Sequence, residues 1–202
     1  MSPISSTFAN ASARGYRSFG AAEPAGAFDS IASITAAGGE TLLSFTSIPS
    51  TYKHLQIRTL IRNVRALNTV GGCEFYFKGE NTGNNYNSHV LSSAGSTGST
   101  SGNNSTYSFQ GIGWLSIPFA STTANAFGAG IIDIHDYAST SKNKTMRVFS
   151  GADVTTGVGT CGMFSGLWKS TSAINSISFF TGGGGNEFAA GSTFALYGIK
   201  GE

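Results

Sequence analysis

Asp133, His135 and Asp136 form the densest group of acid, base and metal-ligating side chains in the chain. In an extended segment successive side chains alternate between faces, so Asp133 and His135 share one face and Asp136 turns to the other. Two converging ligands fall short of a zinc site, and the segment reads as polar residues on a solvated strand face. His54 follows Lys53 at the start of a strand-like run, and His89 lies beside an Asn-rich turn; neither has a local partner. No G-x-S-x-G elbow is present, and the run Gly182, Gly183, Gly184, Gly185 lacks the Lys-Ser/Thr of a phosphate loop, so it reads as a turn. A glycosidase needs two carboxylates across a cleft, and none of the 10 Asp and Glu residues is singled out by its setting. The sequence assigns no catalytic residue, no cofactor and no metal, and the chain is expected not to be an enzyme.

The elements around these residues follow a period of two. Segment 41–47 alternates Leu43 and Phe45 with Ser44 and Thr46, and segment 54–62 alternates Leu55, Ile57, Thr59 and Ile61 with Gln56, Arg58 and Arg62. Both patterns predict half-buried strands, with Pro49 in the connection. Cys73, Phe75 and Phe77 alternate with Glu74, Tyr76 and Lys78, and later runs fall at 111–119, 127–137, 145–149, 163–168, 174–180 and 192–199. Nine such runs separated by Gly, Ser and Asn clusters predict an all-β chain, a β-sandwich of jelly-roll type rather than a barrel. The last run is apolar enough to be central, and its loss should cost the fold. Residues 92–106 are nearly all Ser, Gly, Thr, Asn and Ala, which predicts a mobile loop. Trp114 and Trp168 fall in strand-like runs and are expected in the core.

Composition narrows the partners. The chain has 202 residues, a length suited to one sandwich domain, with 40% hydrophobic and only 11% charged residues, so its surface must be largely Ser, Thr, Asn and Gly. A net charge of +2 with scattered Lys and Arg offers no field for a polyanion, and nucleic acid is not an expected partner. No apolar stretch reaches the roughly 18 residues of a membrane span, and the first residues lack a secretory profile, so no membrane association is expected. Cys73 and Cys161 are expected as buried free thiols. The N-x-S/T triplets at Asn10, Asn103, Asn104 and Asn143 read as chance matches in a Ser/Thr-rich chain.

Residues 1–27 differ from the rest. Phe8, Arg14, Tyr16, Arg17 and Phe19 are spaced among small residues, a composition with too little apolar surface to fold alone but with the anchors favoured at interfaces. They are expected to form an extended arm ordered on a partner, or else a simple flexible tail, followed by a sandwich domain at 28–202. Loops on a rigid sandwich are where recognition resides, so Asn84, Asn85, Tyr86, Asn103, Asn104 and Asn186 are expected on tips that could meet a glycan.

The segment from Ser44 through Pro49, Tyr52 and His54 to Arg58, with Phe194, Ala195, Leu196, Tyr197, Gly198 and Ile199 at the end, resembles a family of virion structural proteins of tailed bacteriophages. Tyr86 with its Asn neighbours, the Ile-Asp-Ile-x-Asp-Tyr segment ending at Tyr137, Lys144-Thr145, and Trp168 followed by Ala173 to Ile177 add to that resemblance, which covers roughly residues 28–200. It implies a protein made in the host cytoplasm and built into the particle exterior beside other virion proteins, as a tail fibre or appendage, commonly a homotrimer. A capsid decoration protein and a glycan-binding adhesin are the alternative expectations. The resemblance carries no catalytic residue to this chain.

Overall fold

The described residues form twelve strands, most of them built by alternation of apolar and polar side chains, which lets a run bury one face and leave the other outside. The computed structural model describes residues 27–80, 85–107, 110–155, 158–181 and 187–201, the stretches 99–107 and 110–114 by their backbone alone. The strands are β1 (Phe28–Thr35), β2 (Leu42–Phe45), β3 (His54–Ile61), β4 (Val70–Phe77), β5 (Tyr86–Ala94) and β6 (Thr97–Tyr107). They continue with β7 (Gln110–Pro118), β8 (Gly128–His135), β9 (Lys144–Ala152), β10 (Thr160–Trp168), β11 (Ile177–Thr181) and β12 (Thr193–Ile199). The chain is all-β among its described residues, in two antiparallel sheets: eight strands in the order β1-β12-β3-β8-β9-β10-β5-β6, and four in the order β2-β11-β4-β7.

The two sheets enclose one apolar core. Leu55, Ile57 and Ile61 of β3, Ile132 and Ile134 of β8, and Phe194 and Leu196 of β12 face Phe75 and Phe77 of β4 and Ile177 and Phe179 of β11, all fully buried. Aromatic rings join the layers: Phe77 meets Trp168 edge-on at 5.3 Å between centroids, and Phe179 meets Phe194 at 4.7 Å. The smaller sheet comes very close to the larger at β7. A Cβ added at Gly128 would lie 1.6 Å from the Ser116 carbonyl oxygen, so only glycine admits that approach. The final strand β12 pairs with β1 on one side and β3 on the other, as its composition predicts.

Three expectations need correction. Residues 92–106 are not a loop: β5 and β6 form a hairpin in which Ala94 opposes Thr97 across a two-residue turn, Gly95-Ser96, with Gly95 at φ 59°. Ser, Thr and Gly leave no hydrophobic alternation to read, but pairing is made by backbone groups, and Gly supplies the positive φ of a tight hairpin. Cys161 is exposed, while Cys73 is buried; both are free. Cys161 shares the outer face of β10 with Met163 and Ser165, a parity that the nearby apolar residues obscure. Tyr86 is no loop tip. It opens β5 fully buried, ring-stacked on Trp168, with its hydroxyl accepting from the Phe77 N–H at 3.0 Å.

Candidate functional site

The site begins with the cross-strand register of the large sheet. On its outer face, opposite the core, Arg58, Ile131, Phe149, Met163 and Leu91 lie side by side on β3, β8, β9, β10 and β5. Ile131 is 41% exposed, Phe149 55%, Met163 54% and Leu91 56%. Outer positions of an antiparallel sheet are ordinarily polar, so a row of four large apolar side chains on adjacent strands is a feature requiring an explanation. One pair further along each strand runs a row of mostly small residues: Leu60, Ala129, Gly151, Cys161 and Ser93. These small side chains form the floor of a concavity of about 710 Å³ that Phe127, Phe149 and Asp153 help to wall. A ridge therefore lies beside a groove.

Loops fix the ends of this face through two buried cations. At the groove end, the Arg62 guanidinium donates to the carbonyls of Thr123 at 2.8 Å, Ala126 at 2.6 Å and Ala120 at 3.1 Å, tying down the segment that leads into Phe127. At the other end Lys144, fully buried, donates to the carbonyls of Ser139 and Lys142, each at 2.7 Å, and of Thr171 at 3.2 Å. Burial pulls the Lys144 pKa below its ordinary value, with Asp136 opposing that shift. Neutral carbonyl dipoles stand where a carboxylate would be expected, so both cations act as pins between loops rather than as half of an ion pair.

A polar band borders the ridge on the side away from the groove. Gln56 donates to Asp133 at 2.9 Å, and Arg147 lies 3.3 Å from His135 Nε2. His54 and His135 meet edge to face at 5.1 Å, and the Asp136 N–H donates to His54 Nδ1 at 3.0 Å. That acceptor role needs an unprotonated Nδ1, and desolvation, then His135, holds the His54 pKa below 6.5. Asp136, in a turn with φ 49°, is ion-paired with Lys142 at 2.8 Å; the hydrogen bond from Lys142 keeps its pKa low. Asp133 and His135 do share the outer face. Among the described residues no group of three His, Cys, Asp or Glu side chains is placed to hold a metal ion.

The other sequence candidates scatter. Phe8, Arg14, Tyr16, Arg17 and Phe19 lie outside the described residues, as do Asn84 and Asn186. Asn85 is half-buried and donates to Glu80, whose other carboxylate oxygen accepts from Trp168 Nε1 at 2.6 Å. Asn103 and Asn104 belong to β6. Trp168 is in the core as expected; Trp114 is on β7 with its side chain undescribed. Sequence reading missed the ridge, although Ile131-Ile132, Val148-Phe149 and Met163-Phe164, doubled apolar pairs inside alternating strands, were its signal. Comparison with family models, with curated proteins and with solved structures finds no match.

Proposed function

We propose that the chain is a non-enzymatic structural component of a tailed-phage particle, a short tail fibre or appendage whose residues 1–27 attach a jelly-roll head, 28–202, to other virion proteins. The jelly-roll reading draws support from strand order. With the hairpin β5-β6 and the pair β9-β10 set aside, the orders become β1-β12-β3-β8 and β2-β11-β4-β7, two sheets of four in which strands distant in the chain are neighbours, as two Greek keys require. The four set-aside strands all extend one edge of the larger sheet, and three of them carry the ridge. The observation that carries the functional reading is that ridge: a broad apolar row on the outside of a sheet favours burial against protein, which suits a piece of an assembly.

Particle composition tests the proposal. Mass spectrometry of purified virions should find the chain in low copy number, and deletion of residues 2–27 should leave a folded head that no longer joins particles. Full incorporation of the truncated protein would contradict the attachment role. A copy number in the hundreds would instead favour capsid decoration.

A further inference from the structure

We infer that the outer face of the large sheet is a two-fold interface, its occupant a second copy of this chain. This goes beyond the phage reading and does not depend on it. The reason is a self-complementarity written into β9. Around Ser150, the outward residues are Arg147 and Phe149 on one side and Gly151 and Asp153 on the other. A two-fold axis lying in the face and perpendicular to the strand at Ser150 places Phe149 of one copy over Gly151 of the other, and Arg147 opposite Asp153. Each contact occurs twice, as an isologous interface demands.

The neighbouring strands obey the same relation. On β8 Ile131 would face Ala129, on β10 Met163 would face Cys161, and on β5 Leu91 would face Ser93. On all four strands a large ridge residue meets a small groove residue, so the ridge of each copy enters the groove of the other. Side chains of this size fill the roughly 10 Å between packed sheets, and the axis perpendicular to β9 sets each strand antiparallel over its own counterpart. Among the described residues neither Arg147 nor Asp153 has an ion-pair partner within its own chain; the Arg147 guanidinium lies within hydrogen-bond distance of His135. The charges are thus left for each other across the axis. Five strands at about 4.8 Å and the rows from Arg147 to Asp153 at about 3.3 Å per residue give a footprint of about 400 Å² in projection. A contact of that modest size belongs to the weak, transient class and should be reversible.

Sedimentation velocity of the full chain over a concentration series tests this with three variants. The wild type should pass from monomer to dimer. Phe149→Ser, which removes an exposed side chain and should leave the melting temperature of the dilute chain unchanged, should weaken the dimer at least ~tenfold. Arg147→Asp should weaken it about as much, and the double reversal Arg147→Asp with Asp153→Arg should restore it, because only a reciprocal pair survives the swap. A monomer at every concentration, a trimer, a dimer indifferent to Phe149→Ser, or a double reversal no better than the single would overturn the two-fold interface.

Discussion

Ile131 and Ile132 are neighbours on β8 with opposite fates: Ile132 is wholly buried between the sheets and Ile131 is 41% exposed on the outer face. The same division separates Val148 from Phe149 on β9 and Phe164 from Met163 on β10. At the β1-β12-β3 end of the sheet the outer face is mixed: Gln56, Arg58 and Tyr197 lie beside exposed Phe28 and Leu60, with the Arg58 guanidinium 5.0 Å from the Tyr197 ring. One sheet therefore has an end whose outer face mixes polar and apolar groups and an end where an unbroken row of apolar side chains crosses four strands. Folding of a single chain explains the inner set; the outer set gains much less from it, and burial against a second surface accounts for the rest.

The largest expected effect separates the two isoleucines. Ile132→Ala should lower the unfolding free energy by about 3 kcal/mol, from lost transfer energy and a residual cavity, whereas Ile131→Ala measured in dilute protein should change it by less than about 0.5 kcal/mol. Equal losses in denaturant titrations would erase the distinction. Next is Lys144→Met at the inner start of β9, which keeps the volume but leaves the carbonyls of Ser139, Lys142 and Thr171 without their donor. A loss of about 2–3 kcal/mol is expected, with faster amide exchange in the segment around Ser170, and neither is expected for the outward-facing Thr145→Val.

The outside of the smaller sheet offers a gentler contrast. Burial raises the Glu74 carboxyl from 4.5 to about 7, and no cation of the described residues pairs with it. The folded state holds its proton more tightly than the unfolded one, so this group's contribution is fully present below about 4.5 and is lost as pH rises to about 7. Glu74→Gln should therefore stabilise the protein at pH 8 by about 1–2 kcal/mol, an amount reduced for the part of the carboxyl that water still reaches, and by nothing at pH 4. His54 acts in the other direction. Its folded pKa lies below 6.5, so its contribution is present above that value and is lost as pH falls through the lowered pKa. Thermal melts of wild type and Glu74→Gln between pH 4 and 8 check both signs.

Most of the fold was legible because burial of one face imposes a period of two, and Leu55, Ile57 and Ile61 or Phe75 and Phe77 display it directly. The β5-β6 hairpin was not, since its Ser, Thr and Gly residues pair through backbone groups that every residue type carries. The outer apolar face was only partly legible, for a different reason: doubled apolar pairs mark its residues in the sequence but not their alignment. Leu91, Ile131, Phe149 and Met163 are far apart in the chain and become one ridge only through the register of four strands, and register is a tertiary property. Tyr86 misled by its neighbours: an Asn-rich turn suggested exposure, while the ring itself fills a place between Phe77 and Trp168.

Thiol labelling puts the double-sided character of the large sheet to the most direct trial, because the chain contains its own control. Cys161 lies on the groove floor and Cys73 in the core. In dilute protein Cys161 should react quickly with a thiol reagent while Cys73 stays unreactive until unfolding. As the concentration rises, Cys161 should become protected and Phe149→Ser should remove that protection. A Cys161 rate that is the same at every concentration would show that nothing covers the outer face, and would contradict the interface.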